Sequence, residues 1–342
     1  MTARFRELAG APGPGIALGM GDDASVLTAT PGGDLVWTVD VLEEDVDFRR
    51  AWLTLEEVGG RAVGAALSDL AAMSARPWAV LLALGSAATD PAPELLALFR
   101  GAAAAAARFG ASVAGGDLTR RTAGVGVAVT ALGTLPAGTS LTRAGALAGD
   151  ELWVTGEPGR AARGLGLLER LGRAAAEAAD PAAVAAWVAP VPRLAEAEWL
   201  RERARPHAAI DLSDGLARDL ARLCVASRVG ARLEAAAFEA EDETALQRML
   251  TGGEDFELLL AGHPGVLKDV AADFTRDFGL AIRRVGEVTA GDGIVLRGGD
   301  GSERALDPEG WDHVAKSPLQ PLGNRAAAGR EGFARGPAAP LE

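Results

Sequence analysis

The sequence is poor in several residue types, and each shortage excludes a class of protein. Cys224 is the only cysteine among 342 residues, so a disulfide scaffold is excluded. No apolar run reaches the ~18 residues that a membrane-spanning helix needs. The opening segment, MTARFRELAG, lacks the apolar core of a secretory signal. We therefore expect a cytoplasmic protein.

Basic residues and standard catalytic motifs are also scarce. Lysine and arginine number 34 against 47 acidic residues, for a net charge of −13, whereas nucleic-acid binders usually present a basic surface. There is no GxxxxGKS or GxxxxGKT phosphate loop, no GxGxxG motif after a strand, and no HExxH motif. The histidines at 207, 263 and 313 are scattered, and Cys224 falls in a predicted helix, where packing is the simpler role. No general base or nucleophile stands out.

The length and the pattern of elements predict two domains of mixed architecture. At ~150 residues per domain, the chain is long enough for two. Strand and helix patterns alternate, which indicates an α/β or α+β fold. Strands are predicted in DLVWTVDVL, WAVLLALG, GVGVAVTALG and ELWVTG, and helices in 56–74 and PELLALFRGAAAAAARFG. We expect an N-terminal domain at 1–140, a C-terminal domain at 147–318, and a disordered tail at 319–342.

Aspartate recurs beside glycine where strands or turns are expected. The instances are Asp22 and Asp23 after Gly21, Asp117 after Gly115-Gly116, Asp214 before Gly215, and Glu254-Asp255 after Gly252-Gly253. Glycine lets a backbone approach a ligand closely, and carboxylates are hard oxygen ligands suited to Mg²⁺. Any single pair is more simply a turn. The whole set favours a site where metal ions hold phosphate groups.

The segment AAIDLSDGLARDL is the most informative of these. An apolar strand brings Asp211 to its end, and Ser213 then stands at a plausible helix N-cap, where free N–H groups suit phosphate. Asp211 and Asp214 are close enough in sequence to bind metal together. A plain cap, with Asp214 complementing the helix dipole, explains the same residues, and local sequence does not separate the two.

A carboxylate-rich chain without a general base fits one chemistry well. A phosphate that acts as the acceptor is already ionised at pH 7, because its second pKa is about 6. It needs no base to activate it. The remaining obstacle is repulsion between two anions, which Mg²⁺ relieves.

Nine segments together resemble the thiamine-monophosphate kinases, members of the aminoimidazole-ribonucleotide-synthetase-like superfamily. They occur in the family's order between Gly21 and Val314, and only AIDLSDGL and GGEDFEL are distinctive alone. The segments are GDDASVL, VDVLEEDVDF, LSDLAAMSA, AGGDLTR, LTRAGALAGD, VTGEPG, AIDLSDGL, GGEDFEL and GWDHV.

The resemblance implies a fold and a reaction. The fold is the two-domain α/β (α+β) fold of that superfamily, with an N-terminal domain pairing strands across a homodimer and a C-terminal α/β domain. The reaction is transfer of the γ-phosphoryl group of ATP to thiamine monophosphate, giving thiamine diphosphate and ADP. Several Mg²⁺ ions, and ATP bound near the dimer interface, are implied as well.

The resemblance also implies roles for residues. The implied metal ligands are Asp23, Thr38, Asp40, Asp69, Asp117, Asp211 and Asp214. The implied ATP contacts are Gly116, Asp117, Arg143 and Ser213, and the implied substrate contacts are Asp47, Glu254 and Trp311. Asp47 is a departure, since the family usually has histidine there, and Val39 stands where the family often has threonine.

Two related enzymes are disfavoured by their chemistry, and a non-catalytic binding protein remains as the alternative. Selenophosphate synthetases carry a reactive cysteine or selenocysteine near the N-terminus, whereas the one cysteine here is Cys224. The hydrogenase-maturation dehydratase relative ends in cysteine, whereas this sequence ends in Pro-Leu-Glu. A non-catalytic nucleotide-binding protein on the same fold would bind ATP without forming ADP.

Overall fold

Two large β-sheets and the helices around them organise the chain in the computed structural model, which describes residues 2–11, 13–18, 26–27, 32–87 and 90–310. The strands are β1 Ile16–Leu18, β2 Val26–Leu27, β3 Gly33–Glu43, β4 Arg76–Ala87, β5 Ser112–Arg121, β6 Val125–Pro136, β7 Glu151–Thr155, β8 Ala208–Asp211, β9 Gly230–Glu234, β10 Leu258–Gly262, β11 Ile282–Thr289, β12 Ile294–Arg297 and β13 Glu303–Ala305. The helices are α1 Thr2–Ala9, α2 Leu55–Ala72, α3 Ala92–Arg108, α4 Arg160–Leu171, α5 Arg173–Ala179, α6 Pro181–Val188, α7 Leu194–Arg203, α8 Leu216–Ser227, α9 Glu243–Thr251 and α10 Val266–Phe278, with a 3₁₀ turn at Ala235–Phe238. The predicted mixed α/β architecture is confirmed.

The first sheet has four strands in the order β3-β6-β4-β5, and only β4 and β5 run parallel. Helices α2 and α3 cover one of its faces and bury a core that includes Leu67, Leu98 and Val129. Helix α2 begins at a capping box, in which Thr54 and Glu57 satisfy each other's backbone N–H groups. Because α2 is apolar on most sides, it packs against α3, the sheet and elements of the second half.

The opposite face of this sheet is apolar and exposed. The strand predicted in DLVWTVDVL is confirmed as β3, and its side chains alternate: Thr38 and Asp40 point towards the covered face, whereas Trp37 and Val39 are 71% and 60% exposed. Leu35 and Val41 share the exposed face of β3, and Leu81, which lies in the row of Val39, is exposed on the same face of β4. We call Leu35, Trp37, Val39 and Val41 the outer apolar strip.

The second sheet has seven strands in the order β13-β12-β9-β11-β7-β10-β8, and is antiparallel except for β12 and β9. Its core lies on both faces. Helix α8 packs on one face through residues such as Leu220, and α7 and α10 cover the other through Leu200 and Phe274. The last turn of α2 joins the second of these cores through Ala71. The first half of the chain therefore contacts the second directly.

The glycine pair before Asp117, where a strand or a turn was expected, lies within a strand. Gly115 and Gly116 lie inside β5, which continues to Arg121, and Ala114 forms a bulge in the pairing with β4. A Cβ on Gly116 would lie 2.1 Å from the carbonyl oxygen of Leu82. The glycine is needed for the close approach of the parallel strand and makes no turn.

Within the described part of the chain, no helix is both long enough and apolar enough to cross a membrane.

Candidate active site

Three acidic side chains come together from three different elements. Asp40 lies in β3, Asp69 in α2, and Asp211 at the end of β8. The Thr38 hydroxyl donates to Asp69 Oδ2 at 2.5 Å, and the Ser68 hydroxyl donates to Asp211 Oδ2 at 2.7 Å. Ser68 and Asp69 are neighbours on α2. This helix therefore links β3 of the first sheet to β8 of the second.

The electrostatics of these acids reflect burial and mutual repulsion. Burial raises the pKa of Asp40 to about 6, and the charges of Asp69 and Asp47 add to the shift. Burial also raises the pKa of Asp211 to about 7, and the charge of Asp69 adds to it, although the Ser68 hydroxyl opposes the shift. Hard oxygen donors that repel one another in this way suit a divalent cation, which would relieve the repulsion.

The loop 211–215 is organised differently from the prediction. Helix α8 starts at Leu216 with Gly215 as its N-cap, so the placement of Ser213 at the N-cap is wrong. The backbone N–H groups of Ser213, Asp214 and Gly215 all donate to Asp219 Oδ2, at 3.1, 3.0 and 3.1 Å. These groups, expected to be free for phosphate, are already satisfied by a carboxylate that reaches back from the first turns of the helix.

The side chain of Asp214 is held by an arginine of the same helix. Arg222, one turn further along α8 than Asp219, forms ion pairs with both Asp214 and Asp219. The carboxylate of Asp214 is therefore paired with a cation, and a metal ion at Asp214 has to compete with Arg222.

Replacing Asp219 with alanine is expected to destabilise the protein by about 3 kcal/mol, because three backbone N–H groups, one buried and two partly buried, lose their acceptor. Denaturant unfolding measures the loss. Asp242→Ala is a matched control, since Asp242 caps α9 through the N–H of Ala245 and its loss should cost only about 1 kcal/mol. Equal losses in the two variants would contradict the special role of Asp219.

Glu254 lies beside this loop. Its backbone N–H donates to the carbonyl of Ser213 at 2.7 Å, and its φ of +67° is unusual for a residue other than glycine. A Cβ on Gly253 would lie 2.7 Å from the same carbonyl, so the predicted glycine turn brings Glu254 against the loop. Its carboxylate accepts hydrogen bonds from Arg61 and from the indole of Trp187.

The other predicted site residues lie at varying distances from the acids. Asp47 accepts from the backbone N–H of Glu43 at 2.8 Å, and its charge acts on Asp40. The charge of Arg143 lowers the pKa of Asp211 against the effect of burial, so this arginine also lies near the acids.

Asp117 lies on the other side of the first sheet. It pairs across β5, β4, β6 and β3 in one row with Ala83, Ala128 and Val41. Side chains in such a row share a face, and Val41 belongs to the outer apolar strip. A single copy of the chain therefore does not bring Asp117 to Asp40. Gly116 is in the row of Asp40, three strands away.

Asp23 and Trp311 lie outside the described residues, as does the predicted tail at 319–342. Among the residues that are described, no group of three or more His, Cys, Asp and Glu side chains is arranged to hold a metal ion. The donor set of Asp40, Asp69 and Asp211, with hydroxyl groups beside two of them, nevertheless has the oxygen chemistry that Mg²⁺ prefers.

The raised pKa values predict how stability depends on pH. Asp40 and Asp211 titrate near about 6 and about 7 in the folded protein, and both would titrate near 3.8 when unfolded. The folded state therefore binds more protons between these values, and stability without metal should fall as the pH rises through about 4 to 7. Thermal unfolding in EDTA at about pH 5 and about pH 8 measures this. Added Mg²⁺ should stabilise the protein more at the higher pH, and equal Mg²⁺ effects at both would contradict binding at these acids.

Several site residues were missed by the sequence analysis. Ser68 adjoins Asp69 in the segment LSD, and Asp219 lies in AIDLSDGLARDL, so both were within quoted motifs. Arg61, Trp187 and Arg222 had no local signal, because their partners are distant in sequence or belong to a loop whose shape was unknown.

Family models match both halves of the chain. The family model for the N-terminal domain of AIR synthase related proteins matches residues 21–135, and the model for the C-terminal domain matches residues 148–299. The limits predicted for the two domains, 1–140 and 147–318, stay a prediction.

Relatives and solved structures match over most of the chain. A thiamine-monophosphate kinase of Synechococcus elongatus is 36% identical over 86% of this chain and 90% of its own length. The crystal structure of thiamine-monophosphate kinase from Stenotrophomonas maltophilia is 31% identical, covers 88% of this chain and 95% of that one, and superposes with a TM-score of 0.77. A structure of AaThiL complexed with AMPPCP and TMP is 25% identical, covers 84% and 89% of the two chains, and has a TM-score of 0.70. With its acids gathered from both halves and these matches along nearly its whole length, the chain belongs to the thiamine-monophosphate kinase family.

Proposed function

We propose that the protein transfers the γ-phosphoryl group of ATP to thiamine monophosphate, forming thiamine diphosphate and ADP. The observation that carries the proposal is that Asp69, in a chain of this family, lies near an acid from each half: its charge acts on both Asp40 and Asp211. The complex of AaThiL with AMPPCP, an ATP analogue, and TMP supports the two substrates.

The bond changes in this reaction require no general base. An ionised oxygen of the thiamine monophosphate phosphate bonds to the γ-phosphorus of ATP. The bond from that phosphorus to the β,γ-bridging oxygen breaks, and its electron pair leaves with ADP. Because the attacking oxygen carries no proton at neutral pH, the protein has only to position two anions and offset their charge.

The proposed metal ligands are the acids of the site and the hydroxyl beside them. Mg²⁺, when bound, neutralises charge on the phosphate groups and aligns them. The residues that would hold it are Asp23, Thr38, Asp40, Asp69, Asp117, Asp211 and Asp214.

The remaining residues are proposed to hold the two substrates. Arg143 is suited to pair with an ATP phosphate, and Gly116 allows close backbone approach. Ser213 would contact ATP through its hydroxyl, because its N–H already bonds Asp219. Asp47, Glu254 and Trp311 are proposed to contact the thiamine part, for which a carboxylate and an aromatic face suit the cationic thiazolium ring.

We further propose that the protein is a homodimer joined through the outer apolar strip. Trp37 and Val39 lie two residues apart on β3 and expose large apolar side chains on the same face. Contiguous exposed apolar surface of this kind marks an interaction site. Asp117 lies on the same face of β5, the strand at the far edge of this sheet. Pairing of two such faces would bring Asp117 towards the partner, in keeping with ATP bound near the interface.

One assay tests the proposed reaction. The protein is incubated with ATP, Mg²⁺ and thiamine monophosphate, and the products are separated by chromatography. We expect thiamine diphosphate and ADP in equal amounts, and no product in excess EDTA. Bound ATP without ADP would instead indicate a binding protein, and product formation in EDTA would refute the role of the cation.

A further inference from the structure

A cation, an indole and a carboxylate meet where α2, α6 and the loop before β10 come together. Arg61 of α2 and Trp187 of α6 are each only 1% exposed. The side chain of Glu254, which they both contact, is 29% exposed. Two buried side chains thus hold a third whose carboxylate reaches the surface.

Each oxygen of that carboxylate has its own donor. Arg61 Nη2 donates to Glu254 Oε1, and Trp187 Nε1 donates to Oε2 at 2.6 Å. Arg61 also donates through Nη1 to the backbone carbonyl of Trp187, and its guanidinium carbon lies 4.3 Å from the centre of the Trp187 ring. Arg61 and Trp187 therefore brace each other as well as the carboxylate, which leaves Glu254 little freedom to rotate.

The backbone of Glu254 is held just as closely. Its φ of +67° belongs to the left-handed region, which residues other than glycine adopt rarely. The hydrogen bond from its N–H to Ser213 ties it to the loop that carries Asp214. Uncommon backbone conformations that the surroundings enforce are concentrated at functional sites.

Packing of α2 against α6 does not by itself require the polar contacts among Arg61, Trp187 and Glu254. A buried arginine is costly to desolvate, and apolar side chains of similar size would join α2 to α6 at least as well. Arg61 Nε has no hydrogen-bond partner among the described residues, although it is buried. Only these polar side chains can hold the partly exposed carboxylate of Glu254 in a fixed direction.

We infer that Arg61 and Trp187 are positioning residues that fix the Glu254 carboxylate for the cationic ring of thiamine monophosphate. The inference rests on the proposed contact between Glu254 and the substrate, and adds the two residues that set its geometry. Preorganisation of this kind lowers the entropy lost on binding, so it acts on affinity for the thiamine part and leaves the phosphoryl transfer itself unchanged.

The test replaces Trp187 with phenylalanine, which keeps an aromatic ring and removes only the N–H donor and part of the ring. Trp199→Phe is the matched control, because Trp199 Nε1 likewise donates to a carboxylate, Asp277 Oδ2 at 3.2 Å, but on α7 and α10. We expect Trp187→Phe to raise KM for thiamine monophosphate about tenfold, the usual factor for one hydrogen bond to a charged group. Its kcat and its KM for ATP should stay unchanged, and Trp199→Phe should alter none of the three.

Glu254→Gln separates the inference from the function on which it rests. A raised KM for thiamine monophosphate in both Glu254→Gln and Trp187→Phe supports the positioning role. A raised KM in Glu254→Gln alone overturns the positioning role and leaves the substrate contact intact. An unchanged KM in Glu254→Gln removes the substrate contact and overturns the inference with it. Absence of turnover in the wild-type protein would overturn the proposed function itself.

If Trp187→Phe folds poorly, Arg61→Lys provides the second measurement. Lysine keeps the charge but cannot bridge the Trp187 carbonyl and Glu254 with a planar fork. The same selective rise in KM for thiamine monophosphate is expected, and an unchanged KM in a folded Arg61→Lys protein overturns the inference.

Discussion

Replacing Asp40 with asparagine is expected to lower kcat/KM at least about 10³-fold, because loss of a metal-binding carboxylate removes several kcal/mol of transition-state stabilisation. Folding should not suffer. Asparagine has the shape of aspartate, and its oxygen can still accept the hydrogen bond that Asp40 Oδ1 receives from the N–H of Val41 at 2.9 Å. Burial raises the pKa of Asp40 to about 6, so its charge is unfavourable in the ligand-free protein at neutral pH. The variant should therefore be as stable as the wild type or more so.

A variant that loses activity but keeps or gains stability identifies a functional acid, because removal of a structural acid would lower stability. Steady-state rates and denaturant unfolding at about pH 7.5 measure the two quantities on the same samples. Asp34→Asn is the control, since Asp34 lies about 20 Å away on the same strand and accepts a hydrogen bond from Gly138. Near-normal turnover in Asp40→Asn would refute the metal role, and Asp214→Asn, expected to lose turnover as well, checks the second half of the site.

Replacing Trp37 with glutamate is expected to weaken the proposed homodimer at least about 10³-fold. Each copy loses the burial of a large aromatic side chain, which contributes about 3 kcal/mol to the free energy of dimerisation. A twofold-symmetric interface contains this side chain twice, so the loss is doubled. The side chain is 71% exposed in the single chain, so the substitution disturbs little of the monomer's core. Turnover should fall at concentrations where the variant is monomeric, because Asp117 faces the same side of the sheet.

Sedimentation velocity over a concentration series measures the dimer, and assays at the same concentrations measure turnover. Val225→Glu is the matched control, because Val225 is 79% exposed on α8 and the substitution adds the same charge away from the outer apolar strip. A wild-type protein that stays monomeric at tens of micromolar, or a Trp37→Glu variant that still dimerises, would contradict the proposed interface.

Local patterns predicted the elements that carry the site. The alternation in β3 places Asp40 on the covered face, and the helical spacing over 56–74 agrees with α2, which carries Asp69. These predictions succeeded because side-chain direction along a strand or helix depends on residues close in sequence.

The errors arose where a distant segment decides the local structure. Gly116 belongs to a segment where a strand or a turn was expected; it lies within a strand and accommodates the backbone of Leu82 on the neighbouring strand. Ser213 was expected to cap α8, but the Asp219 carboxylate takes the N–H groups of the loop, and Gly215 becomes the cap. In both cases the sequence was compatible with two local structures, and packing selected one of them.

The sequence by itself determined the mixed strand-and-helix architecture and the family, and it predicted the acids proposed for catalysis, since periodicity and short motifs encode these directly. The tertiary structure alone decided which acids meet. The Ser68–Asp211 hydrogen bond joins residues 143 positions apart, and the pairing of Arg61 with Glu254 spans 193. Tertiary structure also separated Asp117 from Asp40 by placing them on opposite faces of one sheet. Contacts of this range depend on how whole sheets and helices pack, and that packing follows from burial of apolar surface over the entire chain, which no single segment specifies.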